Sequence, residues 1–329
     1  MRENAIPNKV LVINDENQLY RQMFDDLWDM NCVEEIPKIC IPHTLRPLYK
    51  IHFSSKINRV IKLPFKNMWE KFYGLGRYDF IDDQDYWVLI LNGALKKHYS
   101  VQYLRKVQSK HPNIKYALLF FDTYNAKDYV NELEFDFFNK ILSFDLEDCK
   151  KYGFTYIQQG QVFSKPKGMK NDEQKRTDLF FVGMGAGRVD VLNDIVRKID
   201  GYVNYKIHIC AVSREKQLID TKIFYNQTIP YSEELQYIFN TNTVLDVVKQ
   251  GQSGITLRIC EALLFNKKIL TNNQSIREMP FYDSRFIKVF NDISDIDISF
   301  IKDNAPVKYN IESDYFSPQK IVRLLLENI

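Results

Sequence analysis

Residues 243–273, TVLDVVKQGQSGITLRICEALLFNKKILTNN, contain the pattern of a strand, a loop, a helix and a second strand. The short apolar runs at 243–248 and 267–273 have the length of buried strands, and a helix is predicted to begin near Gly254. A helical crossover between two strands is typical of a parallel sheet whose faces are covered by helices. This stretch therefore predicts an α/β protein.

The same alternation extends through the part of the chain that precedes this stretch. In the second half, strands are predicted at 178–183, 205–211 and 222–226, and helices at 188–199, 214–220 and 232–241. In the first half, strands are predicted at 9–14, 86–92, 115–122 and 140–145, and helices at 18–30, 99–111 and 146–153. The less regular stretch 32–80 predicts a strand at 59–65 and a helix at 68–77.

Two such series of similar length indicate two doubly wound domains. We predict a first domain over 1–160, a polar linker over 161–177 and a second domain over 178–316. Ser317 as N-cap and Pro318 at the first helical position predict a terminal helix over 317–329, packing back on the first domain. In doubly wound sheets ligands bind beyond the carboxyl ends of the strands, so a cleft between the domains is the expected place for a site.

Composition excludes several classes of protein. The 329 residues are 45% hydrophobic and 26% charged with a net charge of +3, which is typical of a globular protein and not of a nucleic-acid-binding one. No apolar run is long enough to span a membrane, and no signal region precedes residue 9. The five cysteines form no CxxC pair, which predicts reduced, mostly buried thiols and a cytoplasmic protein.

A glycine-rich turn follows the strand at 178–183. Gly183, Gly185 and Gly187 precede Arg188 and a helix, and this arrangement favours an anion such as a diphosphate, because backbone amides and the helix N-terminus point at it. The alternative is a turn needed only for tight packing of strand against helix. The spacing is not the dinucleotide fingerprint GxGxxG.

The helix predicted from Gly254 is apolar around most of its circumference. Arg258 and Glu261 share the remaining stripe, and the small polar residues of the preceding loop can present hydroxyl and amide groups to an anionic ligand. A glutamate one turn further on can accept bonds from sugar hydroxyls. The alternative is an i, i+3 ion pair on a solvent-exposed strip.

Residues 231–273 resemble the donor-binding half of bacterial glycosyltransferases of the GT-B fold, the type found in cell-surface polysaccharide, capsule and lipopolysaccharide biosynthesis. DLFFVGMGAGRVDVL (178–192) resembles the opening of the same domain, and HPNIKYALLFFDTYN and ILSFDLEDCKKYGFTYI resemble the acceptor half. The resemblance implies the GT-B fold: two Rossmann-like domains, the first holding the acceptor and the second the nucleotide-sugar donor.

By position, the resemblance makes Glu261 the glutamate that binds the ribose or sugar hydroxyls of the donor. The other donor-binding residues it implies are Gly183, Arg188, Tyr231, Gln252, Ser253, Gly254, Thr256 and Arg258. Many retaining members carry a second glutamate where this chain has Ser253, so the choice between an inverting and a retaining mechanism stays open.

Two aspartates are candidates for a catalytic base. Asp122 and Asp15 each end a predicted strand and would face the cleft, where an inverting enzyme needs a carboxylate to take the proton of the acceptor hydroxyl. The alternative is that each caps the following turn. The acidic pairs in DDQD (82–85) and DID (295–297) are interpreted as exposed turns, so no metal site and no cofactor is predicted, with helix N-termini and arginines neutralising the leaving diphosphate.

The predicted function is sugar transfer from a nucleotide diphosphate sugar to a glycan or lipid-linked acceptor, with no nucleic-acid partner. Two alternatives stay open: an inactive binding or assembly subunit of the same fold, and a nucleotide-sugar epimerase. A lipid-linked acceptor would bring the enzyme into peripheral contact with the inner face of the plasma membrane.

Overall fold

The computed structural model describes residues 8–13, 18–37, 39–58, 60–61, 63–121, 123–126, 133–157, 162–249, 254–312 and 314–327. Contacts divide the chain into two compact units. Unit 1 comprises Met1–Gln158 with Ser317–Ile329, and unit 2 comprises Gln159–Phe316.

Unit 1 is built on a parallel sheet of apolar strands. Its strands are β1 (Lys9–Ile13), β2 (Val33–Glu35), β3 (Tyr86–Leu91), β4 (Ile114–Phe120), β5 (Lys140–Ser143) and β6 (Thr155–Tyr156). They lie in the order β2-β1-β3-β4-β5-β6, every neighbouring pair parallel. All six residues of β3 are buried, as expected for a central strand covered on both faces.

The helices of unit 1 are short. They are α1 (Gln18–Met23), α2 (Arg46–His52), α3 (Ser55–Asn58), α4 (Asn92–Lys97), α5 (Val101–Gln108) and α6 (Leu146–Tyr152). The hydroxyl of Ser100 caps α5 by accepting from the amide of Tyr103, and Gly153, with a φ of 74°, ends α6 as predicted. The predicted helix at 18–30 is wrong in its second half, where Asp25–Asp29 form a 3-10 helix.

The stretch between β2 and β3 differs most from the sequence prediction. The predicted strand at 59–65 is wrong: the amides of Val60 and Ile61 bond back to the carbonyl of Ile57, and Phe65 has a left-handed backbone with φ 60°. The predicted helix at 68–77 is two 3-10 helices, Lys66–Phe72 and Leu75–Arg77. Val60, Ile61 and Phe65 are exposed, so their apolar pattern does not indicate a buried strand.

Unit 2 contains a second parallel sheet. Its strands are β7 (Thr177–Met184), β8 (Tyr205–Cys210), β9 (Ile223–Tyr225), β10 (Thr241–Asp246), β11 (Lys268–Thr271) and β12 (Ile287–Val289). Their order is β12-β11-β10-β7-β8-β9. This is the order of the dinucleotide-binding doubly wound fold, in which the chain reverses its direction of winding between β7 and β10.

Helices cover this sheet on both faces. They are α7 (Val189–Ile199), α8 (Tyr231–Asn240), α9 (Leu257–Leu264) and α10 (Ile298–Lys302). The helix predicted at 214–220 is wrong, because only Arg214–Lys216 form a 3-10 turn there. The helix predicted from Gly254 begins at Leu257, with Thr256 as its N-cap.

The polar segment before β7 packs on unit 2. The amide of Asp172 donates to Asn240 Oδ1 at 2.8 Å, and Asn240 Nδ2 donates to the carbonyl of Lys170 at 3.2 Å. At the other end of the chain, α11 (Gln319–Leu326) belongs to unit 1. Ser317 Oγ there donates to Asp26 Oδ2 at 2.6 Å.

Candidate functional site

The candidate site lies at the carboxyl ends of β7 and β10, where the winding of the unit 2 sheet reverses. Loops that leave two neighbouring strands in opposite directions open a crevice, and ligands of doubly wound sheets bind there. β7 ends near Gly183, and β10 ends at Asp246. The loop after β10 leads into α9, which carries Arg258 and Glu261.

A fully buried carboxylate organises this edge of the sheet. Asp246 is 0% exposed, and its Oδ1 accepts from Thr256 Oγ1 and from Arg258 Nη1, both at 2.9 Å. Its Oδ2 accepts from Thr271 Oγ1 at 3.0 Å. A buried charge requires such partners, because burial without them is costly. Asp246 therefore ties β10 to the start of α9 and to the end of β11.

Two of the nitrogen atoms of the Arg258 guanidinium, Nε and Nη1, donate hydrogen bonds to protein acceptors. Besides Asp246, its Nε donates to the carbonyl of Val182 at 3.1 Å, and the guanidinium carbon lies 4.7 Å from the centroid of the Phe181 ring. Nη2 makes no hydrogen bond with any residue that the structure describes, and it lies beside Gly183. Arg258 can thus offer Nη2 to a ligand while its other donors hold it in place.

Arg188 also lies close to Gly183. Its Nη1 donates to the carbonyl of Val247 at 2.9 Å and its Nη2 to the carbonyl of Met184 at 2.5 Å. Burial, together with the charge of Arg258, lowers the pKa of Arg188 to about 10. Asp246 forms its ion pair with Arg258, and Arg188 forms none with a described residue, so the excess positive charge at this edge favours an anion.

The glycines of the turn have separate roles. A Cβ on Gly183 would lie 3.2 Å from Arg258 Nη2 and 3.5 Å from Arg188 Nη2, so the missing side chain keeps the space between the two guanidinium groups. A Cβ on Gly185 would lie 2.7 Å from Val189 Cγ2, which indicates close packing of strand against helix. The packing interpretation of the turn therefore applies to Gly185, and anion binding beside Gly183 stays a prediction.

Glu261 is the buried acidic residue of α9. It is 0% exposed, its Oε1 accepts a hydrogen bond from the hydroxyl of Tyr231, and its Oε2 has no partner within the described ranges. Burial, and then the charge of Glu234, raises the pKa of Glu261 well above its usual range; the Tyr231 bond and Arg258 oppose this. Glu261 Oε2 is therefore a buried polar atom for which the described residues provide no hydrogen-bond partner, as a ligand could.

Glu234 on α8 joins this cluster. Burial raises its pKa to about 7, and the charge of Arg258 opposes the rise. Since burial raises the pKa of both carboxyl groups, and the charge of Glu234 raises that of Glu261 further, the pair retains a proton near neutral pH. Arg258 and Glu261 therefore do not form the ion pair considered as the alternative: Arg258 pairs with Asp246, and Glu261 bonds to Tyr231.

The loop between β10 and α9 is held at both ends. Asn272 Oδ1 accepts from the amide of Val248 at 2.8 Å, and Asn273 Nδ2 donates to the carbonyl of Gly254 at 3.2 Å. The hydroxyl of Thr256 is used within the protein, since it donates to Asp246 and accepts from the amide of Ile259. Gln252 and Ser253 lie outside the described residues.

The predicted catalytic bases Asp15 and Asp122 also lie outside the described residues. Their assignment stays a prediction.

The DDQD and DID stretches agree with their interpretation as exposed turns. Asp82, Asp83 and Asp85 are exposed, and Asp297 caps α10 through the amide of Ser299. Within the described ranges, no group of three or more His, Cys, Asp or Glu is placed to hold a metal ion.

The five cysteines are free thiols, but the prediction that most are buried is wrong. Cys149 and Cys260 are buried, Cys32 and Cys210 are partly exposed, and Cys40 is exposed.

Sequence reasoning missed Asp246, Glu234 and Asn273 as parts of the site. A signal for Asp246 was present, because a carboxylate inside the apolar run TVLDVV needs a buried partner. Glu234 carried no such signal, since it lies in the polar first turn of a helix.

Comparison with known proteins gives matches at the level of structure. No protein-family model and no curated protein matches the chain. The UDP-forming α,α-trehalose-phosphate synthase of Burkholderia vietnamiensis is 9% identical to this chain, with a TM-score of 0.53. The superposition covers 98% of this chain and 98% of the synthase chain. The UDP-GlcNAc 2-epimerase of Neisseria meningitidis bound to UDP-GlcNAc is 12% identical to this chain, with a TM-score of 0.51. The superposition covers 97% of this chain and 100% of the epimerase chain.

A third match is an α-glucosyltransferase in complex with UDP-glucose and DNA containing an abasic site. It is 11% identical and covers 90% of this chain and 92% of its own, with a TM-score of 0.51. At such identities the likeness shows the fold alone. Together with the two parallel six-stranded sheets, it confirms the predicted GT-B fold.

Proposed function

We propose that this protein is an enzyme that binds a nucleotide diphosphate sugar at the edge formed by β7, β10 and α9. The observation that carries the proposal is the pairing of two features at one switch point. Arg258 Nη2 and the excess positive charge beside Gly183 suit a diphosphate, and the buried Glu261 Oε2 suits a donor hydroxyl. Ribose and sugar hydroxyls are donors of that kind.

Proteins of the same fold support this class of ligand. The matched structures include an epimerase bound to UDP-GlcNAc and a glucosyltransferase in complex with UDP-glucose, and the matched synthase forms UDP. A uridine diphosphate sugar is therefore the first donor to test.

We further propose that the reaction is transfer of the sugar to a glycan or lipid-linked acceptor in surface polysaccharide biosynthesis. In this scheme Glu261 orients the donor by accepting hydrogen bonds from the hydroxyl groups of the donor's ribose or sugar. Arg258, with Arg188 behind it, neutralises the negative charge that develops on the leaving diphosphate, and no metal is required. Asp122 or Asp15 would take the proton of the acceptor hydroxyl in an inverting reaction.

Epimerisation of the nucleotide sugar is the second candidate. It is favoured by the match to the Neisseria epimerase, which covers both chains almost completely. An epimerase needs the same donor contacts and no acceptor. It would return a changed nucleotide sugar or a free sugar, whereas a transferase leaves the donor intact until an acceptor arrives.

Product analysis separates these candidates. The purified protein is incubated with UDP-glucose or UDP-GlcNAc, with and without lipid-linked saccharide acceptors, and products are followed by mass spectrometry and NMR. Acceptor-dependent release of UDP supports transfer, and acceptor-independent conversion of the sugar supports epimerisation. Binding of a uridine diphosphate without either reaction would indicate an inactive subunit, and a Glu261→Ala variant with full turnover would contradict the proposed site.

We place the enzyme in the cytoplasm, where nucleotide sugars and reduced thiols coexist, and at the inner membrane face if the acceptor is lipid-linked. Across the described part of the chain, the helices are too short or too polar to cross a bilayer.

A further inference from the structure

Exposed apolar side chains are concentrated in one short segment of unit 1, residues 48–68. Seven of the large hydrophobic residues that are exposed in the described chain lie there, and they are Leu48, Ile51, Ile57, Val60, Ile61, Phe65 and Met68. Val60 is 83% exposed and Phe65 is 76% exposed. Single exposed apolar residues are common, but seven within 21 residues are a concentration that is typical of an interaction surface.

Local backbone structure groups these side chains. Leu48 and Ile51 are three residues apart on α2, and so occupy one face of the helix. The amide of Ile61 bonds to the carbonyl of Ile57 at 2.9 Å, which makes these two residues neighbours one turn apart. Phe65 adopts a left-handed backbone, a conformation that residues with a Cβ rarely take, and its ring points away from the core.

Buried residues and hydrogen bonds hold this segment in place, so its apolar side chains are not exposed merely because the backbone is loose. Trp69 is 0% exposed, and its Nε1 donates to His52 Nδ1 at 3.0 Å. The hydroxyl of Tyr49 bonds to His98 Nδ1 at 2.6 Å, and Asn58 Nδ2 donates to the carbonyl of His52 at 2.8 Å. These contacts fix the backbone that carries the exposed apolar side chains.

The same segment is strongly basic. Residues 46–71 contain seven lysines and arginines and one acidic residue, Glu70, while the whole chain has a net charge of only +3. Glu70 is itself neutralised by Lys106, whose Nζ lies 2.8 Å from its carboxylate. Lys50 and Lys71 are both exposed, Lys50 between Leu48 and Ile51 and Lys71 three residues after Met68. An apolar surface framed by positive charge is complementary to an anionic lipid bilayer, which offers headgroups to the lysines and acyl chains to the apolar residues.

We propose that the described residues between Arg46 and Lys71 form a membrane-docking surface, with Val60, Ile61 and Phe65 inserting at the headgroup boundary of an anionic bilayer. Apolar insertion supplies part of the binding strength, and the lysines and arginines supply the dependence on lipid charge. The surface belongs to unit 1 alone, so this inference does not depend on the donor site of unit 2.

Vesicle flotation of the full chain tests the proposal without any nucleotide. We expect the protein to float with vesicles of phosphatidylcholine mixed with phosphatidylglycerol, to bind vesicles of phosphatidylcholine alone at least tenfold more weakly, and to be released by salt. A triple variant, Val60→Ser, Ile61→Ser and Phe65→Ser, should lose binding at least tenfold. Lys50→Glu with Lys71→Glu should also lose it at least tenfold, since each charge near an anionic surface changes affinity about fivefold.

Ile219→Ser is the matched control, because Ile219 is 85% exposed but lies in unit 2. It should bind vesicles like the wild type. All substituted side chains are exposed, and circular dichroism melting checks that each variant is folded. Failure of the wild type to bind anionic vesicles, or equal binding by the triple-serine variant, would overturn the proposal. Concentration-dependent dimerisation that the triple variant abolishes, without vesicle binding, would overturn it in favour of a second copy of the chain as the occupant.

Discussion

Replacing Asp246 by asparagine tests whether this buried carboxylate holds the site together. The side chain keeps its size, but its negative charge is removed from the contacts with Thr256, Arg258 and Thr271. The Arg258 side chain, only 13% exposed, would then keep its positive charge with no counter-charge, beside Arg188.

The expected loss of stability follows from this geometry. Removing one partner of a buried ion pair costs about 3–5 kcal/mol, because the other charge stays buried. Arg258 keeps its bond to the carbonyl of Val182 and its contact with the Phe181 ring, so we expect the lower end, about 3 kcal/mol. An anion that binds between the two arginines should recover part of this loss, since it replaces the missing charge.

Hydrogen exchange followed by mass spectrometry measures the effect where it arises. Peptides from β10 and α9 should exchange faster in Asp246→Asn, and inorganic pyrophosphate should slow them more than it slows the wild type. Trp28, Trp69 and Trp87 all lie in unit 1, so tryptophan fluorescence during urea unfolding reports whether that unit is unchanged. Asp194→Asn is the control, because its pair with Arg197 on α7 is exposed and contributes roughly 0–1 kcal/mol. Exchange at the wild-type rate in Asp246→Asn, or no greater effect of pyrophosphate, would refute this reasoning.

Three further perturbations address single features of the site. The pKa of Glu234 is raised from 4.5 to about 7 mainly by burial, so the stability it contributes is fully present below about pH 4.5 and is lost as pH rises through about 7. Glu234 should therefore lower the exchange protection of α8 by on the order of 2 kcal/mol between about pH 5 and 8, and Glu261, whose pKa is also raised, should add to this fall. Glu234→Gln should remove the part of the slope that is due to Glu234; an unchanged slope would mean that Glu234 does not titrate in this range. Gly185→Ala places a Cβ 2.7 Å from Val189 Cγ2 and should destabilise unit 2 by about 1–3 kcal/mol in the same exchange measurement, while a neutral result would show that the turn has room. Gly183→Ala instead fills the space beside Arg258 Nη2, so it should lower the free energy of uridine diphosphate binding, measured by calorimetry, more than the free energy of unfolding. A larger loss in the free energy of unfolding would assign Gly183 to packing.

The parallel strands were the most predictable part of the fold. β3 and β4 are continuous apolar runs because both faces of a parallel sheet are covered, so the sequence reports them directly. Short edge strands such as β2, β6 and β12 were missed, since two or three residues carry no periodicity. Residues 59–65 misled the prediction for a physical reason: their apolar side chains are exposed, and burial is what links apolar patterns to strands.

The site was predictable in position but not in its contacts. Glycines after β7 and the loop before α9 pointed to the switch point, because loops there follow adjacent strand ends. That Arg258 would pair with Asp246, twelve residues earlier, could not be inferred from helical spacing, which offered only Glu261. The contact of Tyr231 with Glu261 likewise depends on how α8 packs against α9, and that packing is not encoded in either helix alone.

Calorimetric titration with uridine diphosphate tests the central proposal, a nucleotide-sugar site at β7, β10 and α9, most directly. The wild type should bind, and Glu261→Ala should bind about 2- to 10-fold more weakly, because a neutral hydrogen bond from a ligand hydroxyl contributes about 0.5–1.5 kcal/mol and the variant has no oxygen to accept it. Glu278→Gln, an exposed position in unit 2, should bind like the wild type. Equal affinity in Glu261→Ala, or a wild type that binds no nucleotide diphosphate at all, would contradict the account.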